Sequence, residues 1–232
     1  MKDKRNPGAI NYFNRKIESF DNIYRSDRKG VGPLLNNTLR ASVRQRFKLA
    51  FDLIGDIRGK SALDIGCGTG RYMFESIRRG ARNVMGIDAA AGAIEAARKM
   101  ALHLGLKDKA QFIETDFLDF NPKNLFDVVF AVGYFDYILS PKHHIQKMFE
   151  ISNEFLYISF PKLWHPLTPL RKFRLLLNRC PVRFYSQNKI TELMNFAGFG
   201  DFEIRSVARD YILIVRKPVA PRHSEVDDEA EI

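Results

Sequence analysis

Short apolar runs alternate with amphipathic stretches along the chain from residue 61 onward. Runs rich in Val, Ile and Phe predict buried strands, and apolar residues that repeat every three or four positions predict helices. The predicted strands cover 61–65, 83–88, 111–115, 126–132 and 155–160, and the helices between them cover 69–80, 90–104 and 141–151. Strands that alternate with helices predict a parallel sheet with right-handed crossovers.

The pattern changes at both ends of this alternation. Before it, apolar residues spaced by three and four predict two helices within 10–57, with the loop 26–33 between them. After it, one helix over 190–199 is followed in quick succession by two strands, within 201–210 and 211–217. Because a parallel pair needs a long crossover, these last two strands are expected to be antiparallel.

This organisation divides the chain into three parts. Residues 1–57 are predicted to form a helical extension, and residues 58–217 form one α/β domain with an insertion or lid at 161–185. The segment 218–232 is predicted to be a disordered acidic tail, because its last eight residues, EVDDEAEI, contain five acids and no base.

The body of the chain is strongly basic. The formal net charge is +10, and leaving out the five acids of the tail raises it to +15. Such a charge favours nucleic acid, an anionic membrane surface or an acidic small molecule as partner, although a soluble protein with a basic surface has the same composition. The cysteines have no metal-ligand spacing, and neither a bilayer-spanning run nor a secretion signal is evident. A cytoplasmic location without a metal site is therefore expected, with peripheral membrane contact as an alternative.

A glycine-rich loop, LDIGCGTGRY, lies between a predicted strand and a predicted helix. Its glycines, Gly66, Gly68 and Gly70, stand at every second position. A dinucleotide fingerprint would need a further glycine where Arg71 stands, and a phosphate-binding P-loop would need a lysine that is absent. The loop therefore predicts close approach of a nucleotide-like ligand that belongs to neither of these two classes.

Acidic residues mark three successive strands of the predicted sheet. Asp64 precedes the glycine loop, Asp88 ends the second strand, and Asp116 follows the third strand with Phe117 beside it. Asp88 is placed to accept hydrogen bonds from ribose hydroxyls, and Asp116 with Phe117 is placed to bind an adenine. The alternative is that each aspartate caps the helix after its strand. Three carboxylates without a nearby lysine favour a cationic ligand over a pyrophosphate.

The stretches ALDIGCGTGRY, GIDAAAGAIEAARK, ETDFLDF and FDVVFAVGYFDYI occur in this order. Together they resemble the class I S-adenosylmethionine (SAM)-dependent methyltransferases, loosely those of the small-molecule quinone and magnesium-protoporphyrin O-methyltransferase type. The resemblance implies a Rossmann-like, mostly parallel seven-stranded sheet of order 3-2-1-4-5-7-6, with strand 7 antiparallel and helices on both faces. It also implies SAM as the cofactor.

The resemblance also implies which residues hold the cofactor. Asp64 and the three glycines would line its methionine end, Asp88 would hold the ribose, and Asp116 with Phe117 would bind adenine. Cys67 is interpreted as a small packing residue of this loop and not as a nucleophile. The full predicted cofactor-binding set is Asp64, Gly66, Cys67, Gly68, Gly70, Asp88, Ala89, Asp116, Phe117 and Gly133.

Catalytic candidates follow the fourth predicted strand, in GYFDYI at 133–138. This stretch lacks the Asn/Asp-Pro-Pro-Tyr/Phe signature that many amino-methylating relatives of the family carry. Asp136 or Tyr134 is a candidate to orient or deprotonate a hydroxyl, with helix capping for Asp136 and core packing for Tyr134 as alternatives. His143 and His144 begin the next helix. One of them is a candidate base, and the alternative is that both side chains are exposed to solvent.

The insertion 161–185 combines large apolar residues with lysines and arginines. It is predicted to lie on an anionic membrane, to cover a pocket for an anionic, lipophilic acceptor, or to act as an ordinary lid. The N-terminal helices are expected to cover the cofactor crevice as a second lid. Candidates there for contact with substrate or cofactor are Tyr12, Phe13, Phe20 and Tyr24.

The favoured function is methyl transfer from SAM to a small-molecule acceptor, at oxygen. One alternative is an RNA methyltransferase, which the basic body favours, although neither an appended RNA-binding module nor an RNP-type strand is evident. The other is a SAM-binding or peripheral membrane protein without catalytic turnover.

Overall fold

A seven-stranded mixed sheet forms the centre of the computed structural model, which describes residues 6–21, 33–166 and 168–218. The strands are β1 Ala62–Ile65, β2 Val84–Asp88, β3 Ala110–Glu114, β4 Phe126–Ala131, β5 Ser152–Pro161, β6 Glu203–Val207 and β7 Asp210–Arg216. Their order is β3-β2-β1-β4-β5-β7-β6, and β7 runs antiparallel to both of its neighbours. This confirms the predicted strand order and the antiparallel final pair.

Helices cover both faces of this sheet. They are α1 Pro7–Asp21, α2 Pro33–Ile54, α3 Arg71–Arg78, α4 Ala91–His103, α5 Pro141–Ile151, α6 Thr168–Leu177 and α7 Gln187–Phe196. Residues 26–32 of the predicted loop and 219–232 of the predicted tail lie outside the described residues. Within the described ranges, no helix has the length and apolar character that a membrane crossing requires.

The two faces of the sheet bury separate apolar layers. Along β5, Leu156 faces the layer under α5 and α7, and its neighbour Tyr157 faces the layer under α2 and α3. This alternation follows from the two-residue period of a strand. The hydroxyl of Tyr157 donates a hydrogen bond of 2.8 Å to the carbonyl oxygen of Arg46, which ties α2 to the sheet.

The topology opens a crevice beside β1. This strand pairs in parallel with β2 on one side and with β4 on the other, so the chain leaves it in opposite directions across the sheet. Ligands of open α/β sheets bind beyond the carboxyl ends of the strands at such a switch point. The glycine loop, the end of β2 and the segment after β4 all meet at this edge.

Candidate functional site

The glycine loop turns the chain from β1 into α3 through three left-handed residues. The φ angles of Gly66, Gly68 and Gly70 are 70°, 53° and 83°, a region that side-chain-bearing residues rarely adopt. A Cβ atom on Gly66 would lie 2.8 Å from the ring of Tyr134, whereas one on Gly68 would meet no atom within 4 Å. The first glycine therefore permits close packing, and the middle one borders open space.

Asp88 ties this loop to the start of α4. Its Oδ2 accepts a hydrogen bond of 3.0 Å from the amide of Gly68, and its Oδ1 accepts one of 2.9 Å from the amide of Ala90. Burial raises the pKa of Asp88, and these backbone hydrogen bonds oppose that shift. The N-cap residue of α4 is Ala90, and that helix start has no side-chain cap, so the alternative that Asp88 caps the helix is wrong. Asp88 instead holds the glycine loop and lines the cavity described below.

Asp64 forms a second buried carboxyl in the same wall. The residue is 3% exposed, and burial together with the nearby charge of Asp88 raises the pKa of Asp64 to about 8. Two neighbouring buried carboxyl groups are costly to ionise together in the ligand-free protein. A cation bound between them would lower that cost, so the wall has the electrostatics of a site for a positively charged ligand.

Cys67 lies at the back of the loop. A Cβ atom on Gly86 of β2 would lie 2.9 Å from the sulfur of Cys67 and 2.2 Å from that of Met73. Burial raises the pKa of the Cys67 thiol well above its ordinary value, which disfavours the nucleophilic thiolate. This packing fits the interpretation of Cys67 as a structural residue.

Asp116 and Phe117 follow β3 at the far end of the crevice. Oδ1 of Asp116 accepts a hydrogen bond of 2.9 Å from the amide of Leu118, which closes a tight turn. Phe117 is buried, and its ring meets that of Tyr134 edge to face at 6.2 Å between centroids. An acidic side chain and an aromatic ring therefore stand together at this end, as the sequence predicts.

These residues surround one cavity of about 290 Å³. A volume near 300 Å³ is at the lower end of the range for small-molecule sites. All predicted cofactor-binding residues line it except Gly70, whose Cβ position faces Phe74 and Phe112 instead. The catalytic candidates Tyr134 and Asp136 also line it.

Helix α1 forms a roof over this cavity, and Phe13 lines it together with Asn6, Ala9 and Ile10. This location agrees with the expectation that an N-terminal helix covers the crevice. Tyr12 packs instead in a cluster with Leu175 and Cys180. The side chain of Phe20 and all of Tyr24 lie outside the described residues.

Two asparagines hold α1 in place. The side-chain amide of Asn6 donates to the carbonyl oxygens of Tyr137, at 2.8 Å, and Pro181, at 3.1 Å. At the other end, Oδ1 of Asn14 accepts a hydrogen bond of 3.0 Å from the amide of Gly92 in the first turn of α4. Sequence reasoning missed both residues, because each acts on a partner that is distant along the chain.

Tyr134 and Asp136 have different surroundings within the cavity wall. The hydroxyl of Tyr134 is 2.8 Å from Nδ1 of His144, which is buried, while His143 is exposed. The alternative that both histidines face solvent is therefore wrong for His144. Asp136 is 3% exposed and lies in a cluster of charged side chains away from this pair.

The charged cluster is assembled from four elements of the chain. Oδ2 of Asp136 accepts a hydrogen bond from Nη2 of Arg171 in α6. Arg46 of α2 and Asp210 of β7 form an ion pair of 3.0 Å, and Arg209 of the β6–β7 turn completes the set. Burial raises the pKa of Asp136, and the charge of Arg171 opposes the shift. All five side chains line the cavity.

The two sides of α6 differ sharply. Arg171 and Leu175 face the cavity, so Arg171 is not one of the surface charges that the insertion 161–185 suggests. The outer side carries exposed apolar residues, and Trp164 just before the helix is 83% exposed. Among the described side chains of this segment, the exposed large apolar residues are Leu163, Trp164, Phe173, Leu176 and Leu177.

Comparison with known proteins gives one family model, described as a methyltransferase domain, which matches residues 57–198. A tRNA U34 carboxymethyltransferase of Shewanella pealeana is 28% identical over 138 residues, which cover 57% of this chain and 41% of that protein. A protein of the same name from Pseudomonas fluorescens is 37% identical over 93 residues, covering 39% of this chain and 28% of that protein. The chain therefore spans less than half the length of these relatives.

Solved structures share the fold. Magnesium protoporphyrin IX methyltransferase from Synechocystis, crystallised with bound SAH, superposes with a TM-score of 0.71 at 19% identity, covering 90% of this chain and 97% of that one. A SAM-dependent methyltransferase from Thermotoga maritima, described as a possible histamine N-methyltransferase, gives a TM-score of 0.67 at 14% identity, covering 90% and 100%.

Proposed function

This chain belongs to the SAM-dependent methyltransferases, and from that premise we propose that it methylates an oxygen atom of a small-molecule acceptor. The observation that carries the proposal is the division of one cavity into two chemically different halves. One half is the acidic wall of the glycine loop, Asp64 and Asp88, and the other is the charged cluster around Asp136. A cationic methyl donor fits the first half, and an acceptor hydroxyl fits the second.

The residues of the first half fit SAM. The open space at Gly68 leaves room for a ligand against the backbone, and two buried carboxyl groups favour a cation. We expect the loop and Asp64 to hold the methionine end, Asp88 the ribose, and Asp116 with Phe117 the adenine. Bound SAM supplies a methyl group already activated by a positively charged sulfur, so the protein has mainly to position the acceptor.

In the second half, Asp136 is the residue we assign to the acceptor. Its Oδ1 lies buried in the cavity wall without a hydrogen-bond partner among the described residues, so it is available to a hydroxyl donor. The raised pKa of Asp136 makes its carboxylate a stronger base than an exposed aspartate, suited to accepting the hydroxyl proton during transfer. Tyr134, which is hydrogen-bonded to His144, is assigned to the wall beside the glycine loop.

The roof over the cavity favours a small acceptor over RNA. Phe13 of α1, Asn6 just before it and Leu175 of α6 all line the cavity, so the acceptor half lies under two helices. RNA remains the second candidate because two of the matched relatives are named as tRNA enzymes and the chain is basic. A base within a folded RNA would have to reach the acceptor half beneath these helices.

Transfer of labelled methyl groups separates these functions. The purified protein is incubated with methyl-labelled SAM and a cell extract divided into RNA, protein, lipid and small-molecule fractions. We expect label in lipid or small molecules, and mass spectrometry of the product should locate the new methyl group on oxygen. Label that is released by ribonuclease would contradict the proposal and favour RNA, and SAM binding without transfer to any fraction would favour a non-catalytic protein.

The outer side of α6 adds a proposed contact with an anionic membrane. Its apolar residues are flanked by the exposed bases Lys172, Arg179 and Arg183, and 161–185 contains no acidic residue. We expect the protein to sediment with vesicles that contain anionic lipid and to be released by salt, because exposed aromatic rings and nearby bases both favour such a surface. The double variant Trp164→Ser/Phe173→Ser should reduce the bound fraction several-fold.

A matched control is available for this experiment. Leu125, at the start of β4, is 54% exposed and lies outside the insertion, so Leu125→Ser removes a comparable apolar side chain from another place. This variant should bind vesicles like the unmodified protein. If both variants lose the same fraction of vesicle binding, or if the unmodified protein does not bind vesicles, the proposal that α6 contacts a membrane is contradicted.

A further inference from the structure

Among the described residues, the acceptor half of the cavity contains one more basic than acidic side chain. Arg46 pairs with Asp210 at 3.0 Å and Arg171 pairs with Asp136, which leaves Arg209 as the excess cation of the cluster. Burial and then the charge of Arg171 lower the pKa of Arg209, so its surroundings oppose its charge more than they support it. An arginine stays protonated even so, and a partly buried excess charge of this kind favours binding of an anion.

Arg209 and Asp136 each present a buried polar atom to this cluster. Nε of Arg209 and Oδ1 of Asp136 are buried, and neither has a hydrogen bond within the described residues. Buried polar groups of native proteins are nearly always hydrogen-bonded, so an unpaired donor and an unpaired acceptor in one cavity wall indicate ligand contacts. The donor calls for an anionic or carbonyl oxygen, and the acceptor calls for a hydroxyl.

The turn that carries Arg209 is the two-residue hairpin between β6 and β7. Ala208 has a φ of 46°, in the left-handed region that favours glycine, and Arg209 follows it directly before β7 begins. Lys162 supports this turn, because its amide donates to the carbonyl oxygen of Arg209 at 3.0 Å and its Nζ donates to that of Ala208 at 2.6 Å. These contacts fix the position of the turn, and with it the place of Arg209 in the cavity wall.

We propose that the acceptor carries an oxyanion, a carboxylate, phosphate or sulfate, which binds Arg209, in addition to the hydroxyl that donates to Asp136. This rests on the proposed function and names the class of its substrate. The planar guanidinium offers two parallel donors that match such a group. The hydroxyl oxygen forms the new bond to the methyl carbon, its proton passes to Asp136, and the electrons of the broken carbon–sulfur bond stay on sulfur. The oxyanion is the anchor, so the product remains anionic.

Binding of inorganic phosphate tests this inference without knowledge of the acceptor. The protein is titrated with phosphate at constant ionic strength, and the rise of its unfolding midpoint is followed with and without saturating SAH. We expect a saturable rise in the unmodified protein, and at least a tenfold loss of phosphate affinity in Arg209→Gln. Arg209→Lys keeps the positive charge but not the two parallel donors of the guanidinium, so its phosphate affinity should fall only a few-fold.

The control is Arg82→Gln, which removes an exposed arginine from outside the cavity and should bind phosphate normally. Without phosphate, Arg209→Gln should unfold at a higher temperature than the unmodified protein, because it no longer buries an excess charge. Unchanged phosphate affinity in Arg209→Gln, or no binding to the unmodified protein, would overturn the inference. Failure to bind SAH would instead contradict the proposed function, and the titration without SAH would still decide whether Arg209 binds anions.

Discussion

Replacing Asp136 with asparagine should lower the rate of methyl transfer by about 10²–10³-fold and leave the affinity for SAM nearly unchanged. The carboxylate lies in the acceptor half of the cavity, where Oδ1 has no hydrogen-bond partner among the described residues and is assigned to the substrate hydroxyl. An asparagine in the same place can orient that hydroxyl but cannot take its proton. The measurement is kcat/KM with the acceptor found by labelling, together with calorimetry of SAM binding.

The pH dependence identifies the role of Asp136 as a base. Burial raises the pKa of this carboxyl, and a base acts only in its deprotonated form. The rate of the unmodified protein should therefore be low at acid pH, rise as pH passes through that raised pKa, and then level off. Asp136→Asn should show no such rise, and a profile shared by both proteins would assign the titration to another group.

Loss of stability must be separated from loss of chemistry in this variant. Without its carboxylate partner, Arg171 becomes an uncompensated buried charge, which costs about 3–5 kcal/mol in comparable cases. The double variant Asp136→Asn/Arg171→Met removes that charge and should recover much of the stability without recovering the rate. Recovery of the rate in the double variant would show that Asp136 acts only by compensating the charge of Arg171.

Replacing Asp64 with asparagine should stabilise the ligand-free protein at neutral and alkaline pH while weakening SAM binding about 10–100-fold. Burial and the nearby charge of Asp88 raise the pKa of Asp64 from its ordinary value of 3.8 to about 8 in the folded protein. Between these values the folded state holds a proton that the unfolded state has released, so the free energy of unfolding falls as pH rises. At about 1.4 kcal/mol for each pKa unit, the decline amounts to several kcal/mol. Asp64→Asn should lack this decline.

Binding of SAM should also release a proton. A cation placed beside Asp64 and Asp88 stabilises their ionised forms, so the carboxyl that is protonated in the free protein at neutral pH loses its proton when the ligand binds. Calorimetry in buffers of different ionisation enthalpy measures that proton. The exposed control Asp108→Asn should behave like the unmodified protein. Equal proton release in Asp64→Asn would place the titrating group elsewhere.

The central fold was predictable because its signals are local. A buried strand such as β4 is a short apolar run, and each glycine of the loop marks a backbone turn that glycine favours. The antiparallel pairing of β6 and β7 was also predictable. Only residues 208–209 separate these strands, which is too short a connection for a parallel pair. The full strand order came from the resemblance of four motifs to a known family.

The acceptor half could not be predicted in the same way. Arg46 and Asp210 come from opposite ends of the chain and meet only when α2 and β7 pack together, so no spacing links them. Arg171 stands in a helix with bases and apolar residues on several sides, and its pattern does not identify the one base that turns inward. These charged side chains become buried together only when the protein folds.

The roof helix α1 makes ligand binding and chain folding parts of one equilibrium. It lines the cavity with Asn6 and Phe13, and through Asn14 it holds the first turn of α4, three residues after Asp88 ends β2. A ligand that contacts this roof binds the docked helix in preference to the undocked one. Thermodynamic reciprocity then requires that the bound ligand raise the equilibrium constant for helix docking by the same factor by which docking raises the affinity for the ligand. Protection of the α1 amides from hydrogen exchange is therefore a direct gauge of occupancy in the cavity beneath them.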